Sequence, residues 1–195
     1  VLPLGATRPF GPSTAEPGLF GQPAQVFHLD KKLVNWALRI TRQTPLFDSP
    51  ELAAARKIYR AFAAGAKPPT LLRGDVLSAA RFWHGARHHA WAARWVKHWT
   101  NGRGHFATSS MEDSGTLGAM RQLHQLKLAD WRRVLVLRSV SNYTLPPPGR
   151  PAHRHLLGVP GEDFGVNLPA LTAALENGWR VGHKLIQALL ESPPV

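Results

Sequence analysis

Val134-Leu-Val-Leu137, running on through Arg138-Ser139-Val140-Ser141-Asn142-Tyr143 to the loop Pro146-Pro-Pro-Gly149, is the stretch that decides the fold. Four apolar residues in a row, two of them β-branched, predict a strand buried on both faces, as in a parallel sheet. Upstream of it, Asp113 or Ser114 caps a helix to about Leu126, with Leu117, Met120, Leu123 and Leu126 on one side. In the Trp- and His-rich segment Trp83 to Trp99, Trp91, Trp95 and Trp99 are four apart and stack along one face of a helix that the turn residues Asn101-Gly102 end. Phe106 to Ser110 and Thr70 to Arg73 read as short strands. Ser49 as N-cap and Pro50 at the first helical position open a helix to about Ala64. Asp30 caps another, Lys31 to Thr41, with Leu33, Trp36, Ala37 and Ile40 at helical spacing. Downstream, Leu168 to Glu191 forms a last helix in which Gly178 and Gly182, four apart, predict close backbone packing. Val1 to Leu4 reads as a strand and the Pro- and Gly-rich stretch to Gln25 as a loop. Helices with intervening short strands make the chain α/β, with one domain over residues 1–195.

A length of 195 residues is enough for one domain with a core of its own. With 44% apolar and 18% charged residues, intrinsic disorder is excluded as the general state of the chain. Lys and Arg number 24 against 12 Asp and Glu, a net charge of +12 that admits nucleic acid, an anionic surface or an anionic substrate as partner. The absence of cysteine excludes disulfide scaffolds, thiolate zinc sites and cysteine nucleophiles. No run of about 18 apolar residues exists to form a spanning helix. The chain opens at Val1 in a strand-like segment, without an initiator Met or a signal-peptide pattern, and so reads as a processed product or a fragment.

His84, His88, His89 and His98 invite a metal, and His84 and His88 have the spacing to face one ion from a helix. No HExxH pattern and no carboxylate between Asp75 and Glu112 supports it, so surface or core histidines are the default and no metal is expected. The tryptophans among basic residues invite single-stranded nucleic acid. At i, i+4 and i+8, however, aromatics more often form a buried helical stripe, and the charges are spread, so nucleic acid is not the expected partner. Three further pieces stand out: Gly74-Asp75 with Phe82-Trp83-His84-Gly85, Ser109-Ser110-Met111-Glu112-Asp113, and Arg138 to Tyr143. Ligands of open α/β sheets bind beyond the carboxyl ends of strands, where Glu112 and Asn142 are expected to fall.

GDxLSxxxFWHG, the WAxxWVxxWTxGxGxF run, SxMEDSGTL and VLRSVSNYxxPPPG, in that order, resemble the purine nucleoside permease family, which is similar in turn to nucleoside phosphorylases and nucleosidases. The resemblance covers nearly the whole chain and corresponds to the C-terminal portion of the longer family members. It implies a phosphorylase-like three-layer α/β domain, a mixed sheet flanked by helices, here lacking its N-terminal strands and a glycine-rich anion-binding loop. A chain without them is expected to cleave weakly or not at all. It also implies purine nucleoside binding linked to uptake, with N-glycosidic bond cleavage by phosphate or water as the underlying chemistry. The alternatives are a non-enzymatic nucleoside-binding protein and, more remotely, a basic Trp-rich nucleic-acid module. No cofactor is implied beyond phosphate as a co-substrate. Homo-oligomers are usual among phosphorylases, and the family's bacterial members imply export.

By the same resemblance Met111-Glu112 matches the motif whose carboxylate receives the ribose 2′ and 3′ hydroxyls, two charge-assisted bonds that distinguish ribose from deoxyribose. The plainer reading is an acidic residue in the first turn of a helix. Asn142 matches the position set against the purine, where a donor stabilises charge developing on the base. Asn donates a hydrogen bond but delivers no proton, which favours 6-oxopurine nucleosides such as inosine and guanosine; the plainer reading is a turn Asn after a strand. Glu112 and Asn142 are thus the candidate catalytic residues. Phe82 and Trp83 match an aromatic pair that packs on base or sugar, or else are core aromatics. His84 is a candidate donor to ribose or base, and Ser110, Met111 and Ser141 complete the candidate binding set. Arg138 reads as structural, paired with a carboxylate.

Overall fold

A computed structural model describes residues 26–79, 82–157 and 168–192. The strand expected over residues 1–4 and the loop through residue 25 lie outside the described residues. The elements in chain order are α1 (Lys31–Thr41), α2 (Pro50–Arg56), β1 (Asp75–Ser78), α3 (Ala86–Trp99), β2 (Phe106–Ser110), α4 (Asp113–Gln125), α5 (Ala152–Leu157) and α6 (Leu168–Glu191), with 3-10 turns at Lys57–Tyr59 and Trp131–Arg133. The chain is α/β, as its alternating pattern predicts. It divides into two compact units, one drawn from residues 1–30 and 73–134, the other from 31–72 and 135–195.

The first unit is organised by β1 and β2, a parallel pair in register Val76–Thr108, Leu77–Ser109 and Ser78–Ser110, with an irregularity between Asp75 and Val76. β1 lies downstream of the strand expected at Thr70 to Arg73. The ladder is set by its partner, β2, and by Asp75, whose N–H donates to the His105 carbonyl while its Oδ2 accepts the His105 N–H, both at 2.7 Å. Tertiary pairing thus overrides the weak strand preference of Asp and Ser. Under the sheet Ala79, Trp83, Trp91 and Ala92 form a core, with Leu77, Trp95 and Phe106 against it. Gly85, at φ 110° and ψ 158°, occupies backbone space closed to other residues and separates Trp83-His84 from α3. Its stripe behaves as helical spacing predicts: Trp91 is buried, stacks on Trp95 at 5.4 Å, and Trp95 meets Trp99 edge-on at 5.5 Å.

In the second unit α1 and α6 meet through Ala37, Val181 and Leu185, joined by Trp36, Ile40, Leu46, Leu71 and Leu135. α2 has the expected cap, Ser49 Oγ accepting the Leu52 N–H at 3.2 Å, with Pro50 following. It ends at Arg56, short of the expected Ala64. Tight turns then carry the chain to Gly65, with Phe62 N–H to Tyr59 O at 2.8 Å and Gly65 N–H to Phe62 O at 2.9 Å.

Val134–Leu137 departs from its expectation. Val134 is extended (φ −91°, ψ 126°), yet the run joins no strand ladder among the described residues, and Leu137 is exposed. Its apolar side chains find helices: Leu135 enters the α1–α6 core, and Leu137 Cδ2 stands 3.7 Å from where a Cβ on Gly182 would lie. A short apolar run reads alike whether it meets strands or helix faces. The expected mixed sheet flanked by helices is therefore, among the described residues, one pair of parallel strands. No helix among them is long and apolar enough to cross a membrane.

Candidate functional site

Because β1 and β2 run parallel, their carboxyl ends lie side by side. The Ala79 N–H donates to the Ser110 carbonyl at 2.8 Å, closing the ladder at that end. From there β1 leads toward Phe82-Trp83-His84, and β2 leads directly into Met111-Glu112 and α4. Most of the predicted site residues thus leave from one end of one strand pair, the usual place for ligands in α/β folds.

Glu112 is the residue preceding α4, exposed, with its carbonyl accepting the Thr116 N–H at 3.1 Å. Its Oε2 accepts the Met111 N–H at 3.4 Å, a long bond. A carboxylate here is favoured by the positive end of the helix dipole. Asp113 beside it is buried and accepts the Ser110 hydroxyl at 2.8 Å. The predicted contact Ser110 therefore commits its proton inside the turn, while Met111 stands 52% exposed beside it.

The aromatic pair divides. Phe82 is 52% exposed and offers an open ring. Trp83 is a core residue: its indole N–H donates to the Ser109 hydroxyl at 3.0 Å, and Ser109 donates on to the Leu77 carbonyl at 2.9 Å. Its ring lies 6.1 Å from Phe106. His84 is buried, and His88 Nδ1 lies 3.2 Å from its carbonyl oxygen, which ties the two positions through backbone. Burial pushes the His89 imidazole below the ordinary histidine range. Among the described residues no three His, Asp or Glu side chains are grouped so as to hold a metal ion.

Ser141 and Asn142 belong to the second unit, both half-buried, with the Ser141 hydroxyl 3.5 Å from Asn142 Oδ1. Tyr143 fixes this loop: its hydroxyl donates to the Gly65 carbonyl at 2.6 Å and its ring lies 4.0 Å from that of Tyr59. Tyr59 is buried, its hydroxyl 3.4 Å from His155 Nε2, and burial foremost pushes its pKa up to about 12. Arg138 is exposed. Sequence reasoning passed over Ser78 and Ser109. The Ser78 hydroxyl ties the carboxyl end of β1 to the turn after β2, and the Ser109 hydroxyl links β2 to Leu77 and Trp83. The signal available was a serine in each of the two motifs that flank the strand pair.

These groups define an α/β protein with a candidate ligand site at the carboxyl ends of a parallel strand pair, marked by an exposed carboxylate and an exposed aromatic ring. The family model of purine nucleoside permeases matches residues 2–192, and the chain belongs to that family. It is similar to a purine nucleoside permease of Candida albicans, 26% identical over 168 residues that make up 84% of this chain and 39% of that protein. A probable purine nucleoside permease of Schizosaccharomyces pombe is 27% identical over 118 residues, 60% of this chain and 34% of its own length. The chain thus spans well under half the length of the curated relatives it matches. No solved structure gives a significant match.

Proposed function

We propose that this chain carries nucleoside-recognising residues of a purine nucleoside permease and binds a purine nucleoside in the course of its uptake. The observation that carries this reading is Glu112: an exposed carboxylate at the carboxyl end of β2 and the amino end of α4, inside a family match that runs nearly the length of the chain. The names of the related permeases support the substrate class. In this reading Glu112 receives the ribose 2′ and 3′ hydroxyls, and the open ring of Phe82 packs on sugar or base. Asn142 is assigned to a 6-oxopurine base by the sequence resemblance alone. Trp83, Ser110 and Met111 shape the turn around the carboxylate, and His84 stands beside the aromatics.

The finer proposal is a phosphorylase-like, three-layer α/β architecture in the longer family chain, an exported homo-oligomer, with N-glycosidic cleavage by phosphate or water as its chemistry. Glu112 and Asn142 are the groups that would act on the oxocarbenium-like sugar and the departing base. The second reading is binding without cleavage, favoured by Asn142 itself, whose carboxamide donates a hydrogen bond and has no proton to deliver.

Incubating the protein with inosine, with and without phosphate, and separating the products by chromatography tests both. Hypoxanthine only with phosphate establishes phosphorolysis, and hypoxanthine in both arms establishes hydrolysis. No hypoxanthine, with a saturable calorimetric signal lost in Glu112→Ala, leaves a binding protein. Neither product nor binding contradicts the nucleoside reading.

A further inference from the structure

The turn that carries Glu112 is held from the neighbouring strand by one side chain. Ser78 is the last residue of β1, and its hydroxyl sits among three groups of the turn after β2. It accepts the Ser114 N–H at 3.1 Å, while its own proton faces the Met111 carbonyl oxygen at 3.3 Å and the Ser114 hydroxyl at 3.1 Å. These partners flank Glu112 on both sides, one residue before it and two after. A helix's first N–H groups lack intrahelical partners, and here one of them is satisfied from outside the helix rather than by its own cap residue, since the Glu112 side chain makes no cap bond. A residue at this position that capped its own helix would commit its carboxylate to the helix's own first N–H groups. With Ser78 supplying the acceptor to Ser114, and Asp113 accepting Ser110 at 2.8 Å on the buried side, the Glu112 carboxylate is left at the surface.

We propose that Ser78 is a positioning residue for Glu112: by clamping Met111 and Ser114 it holds the turn in which the Glu112 carboxylate faces out to a ribose diol. This inference rests on the nucleoside reading above for its ligand, whereas the clamp itself is a property of the turn. Ser78 makes no contact with ligand in this role. Its loss acts on ribose recognition and leaves recognition of the base untouched.

The test uses the full chain and the variants Ser78→Ala, Ser78→Thr and Glu112→Gln, titrated calorimetrically with inosine and with 2′,3′-dideoxyinosine, which lacks both hydroxyls. Ser78→Ala is expected to weaken inosine about fivefold and leave dideoxyinosine unchanged. Ser78→Thr, which keeps the hydroxyl, restores inosine binding. In the Glu112→Gln background Ser78→Ala has little further effect, because the two residues act through one interaction. Equal weakening of both ligands by Ser78→Ala, or no rescue by Thr, overturns the positioning role. Amide hydrogen exchange of residues 112–114 separates this from the ligand question. It is expected to quicken in Ser78→Ala at an unchanged melting midpoint, and unchanged exchange overturns the clamp whatever the nucleoside does. A wild-type chain that ignores inosine overturns the nucleoside reading and the ribose role of Ser78 with it, even where the exchange result shows the clamp intact.

Discussion

Glu112 and Asp113 are adjacent carboxylates with opposite environments. Asp113 is buried on the Ser110 hydroxyl and belongs to the architecture of the turn, whereas Glu112 is exposed at the same helix end, within reach of a ligand. The pair of letters in the sequence does not separate them. What does is the hydroxyl three residues before Asp113, and only the structure shows which carboxylate it reaches. Trp83 teaches the same lesson: its motif reads equally as a stacking platform or as core, and the Ser109 hydroxyl under its indole N–H decides for core. A third charged group yields a pH prediction. Arg56 makes two 2.7 Å bonds to Asp48 and, chiefly by them, holds that carboxyl below its ordinary value. A carboxyl depressed in the folded state stabilises fully above its unfolded value, and that contribution fades as pH falls through the folded one. Asp48→Asn is therefore expected to lower stability at neutral pH by about 1 kcal/mol and to have almost no effect in strong acid, read from thermal melts followed by circular dichroism. An equal loss at both pH values would show that the side chain matters for its shape and not its charge.

At the scale of elements, the long periodic segments were legible. α1, β2 and α6 have the bounds their spacing predicts, because capping, alternation and helical apolar spacing all act locally. Val134–Leu137 was not, since what covers an apolar run is a tertiary fact. The glycines of α6 join the two lessons. A Cβ on Gly178 would stand 3.2 Å from Ser139 Oγ, whereas one on Gly182 would sit at ordinary contact distance, 3.7 Å from Leu137 Cδ2. Packing is thus tighter at Gly178, against Ser139, than at Gly182, against Leu137. Gly182→Ala is expected to stabilise by about 0.5–1 kcal/mol through helix propensity. Gly178→Val is expected to destabilise by about 1–3 kcal/mol through overpacking and β-branching. Denaturant unfolding of the two variants checks the contrast, and similar shifts in both would contradict the packing described.

For the molecule as a whole, a charge of +12 indicated neither fold nor site, and it coexists with apolar surface. Leu171, Leu175, Trp179, Ile186 and Leu190 are exposed on α6, within an arc of about 100° around its axis that adjoins the face carrying the buried Val181 and Leu185. Such a face binds apolar dyes, and Leu175→Lys with Leu190→Lys is expected to abolish most of that fluorescence. The same pair should shift folding stability by no more than about 0.5 kcal/mol, because both side chains are already in water. A large loss of stability would mean that the face is covered. The order of four motifs along the chain carried the family resemblance, and the family-model match over residues 2–192 shows the membership. The placement of Glu112 beyond the carboxyl end of a strand was legible in the sequence as well; the structure adds the parallel partner β1, and the functional proposal stands on family and placement together. Titrating inosine into the wild-type chain and into Glu112→Gln by calorimetry tests that proposal most directly. Saturable binding by the wild type, weakened about tenfold or more in Glu112→Gln, is the result expected for a carboxylate that receives the ribose hydroxyls. No binding by the wild type, or equal binding by both, would contradict it.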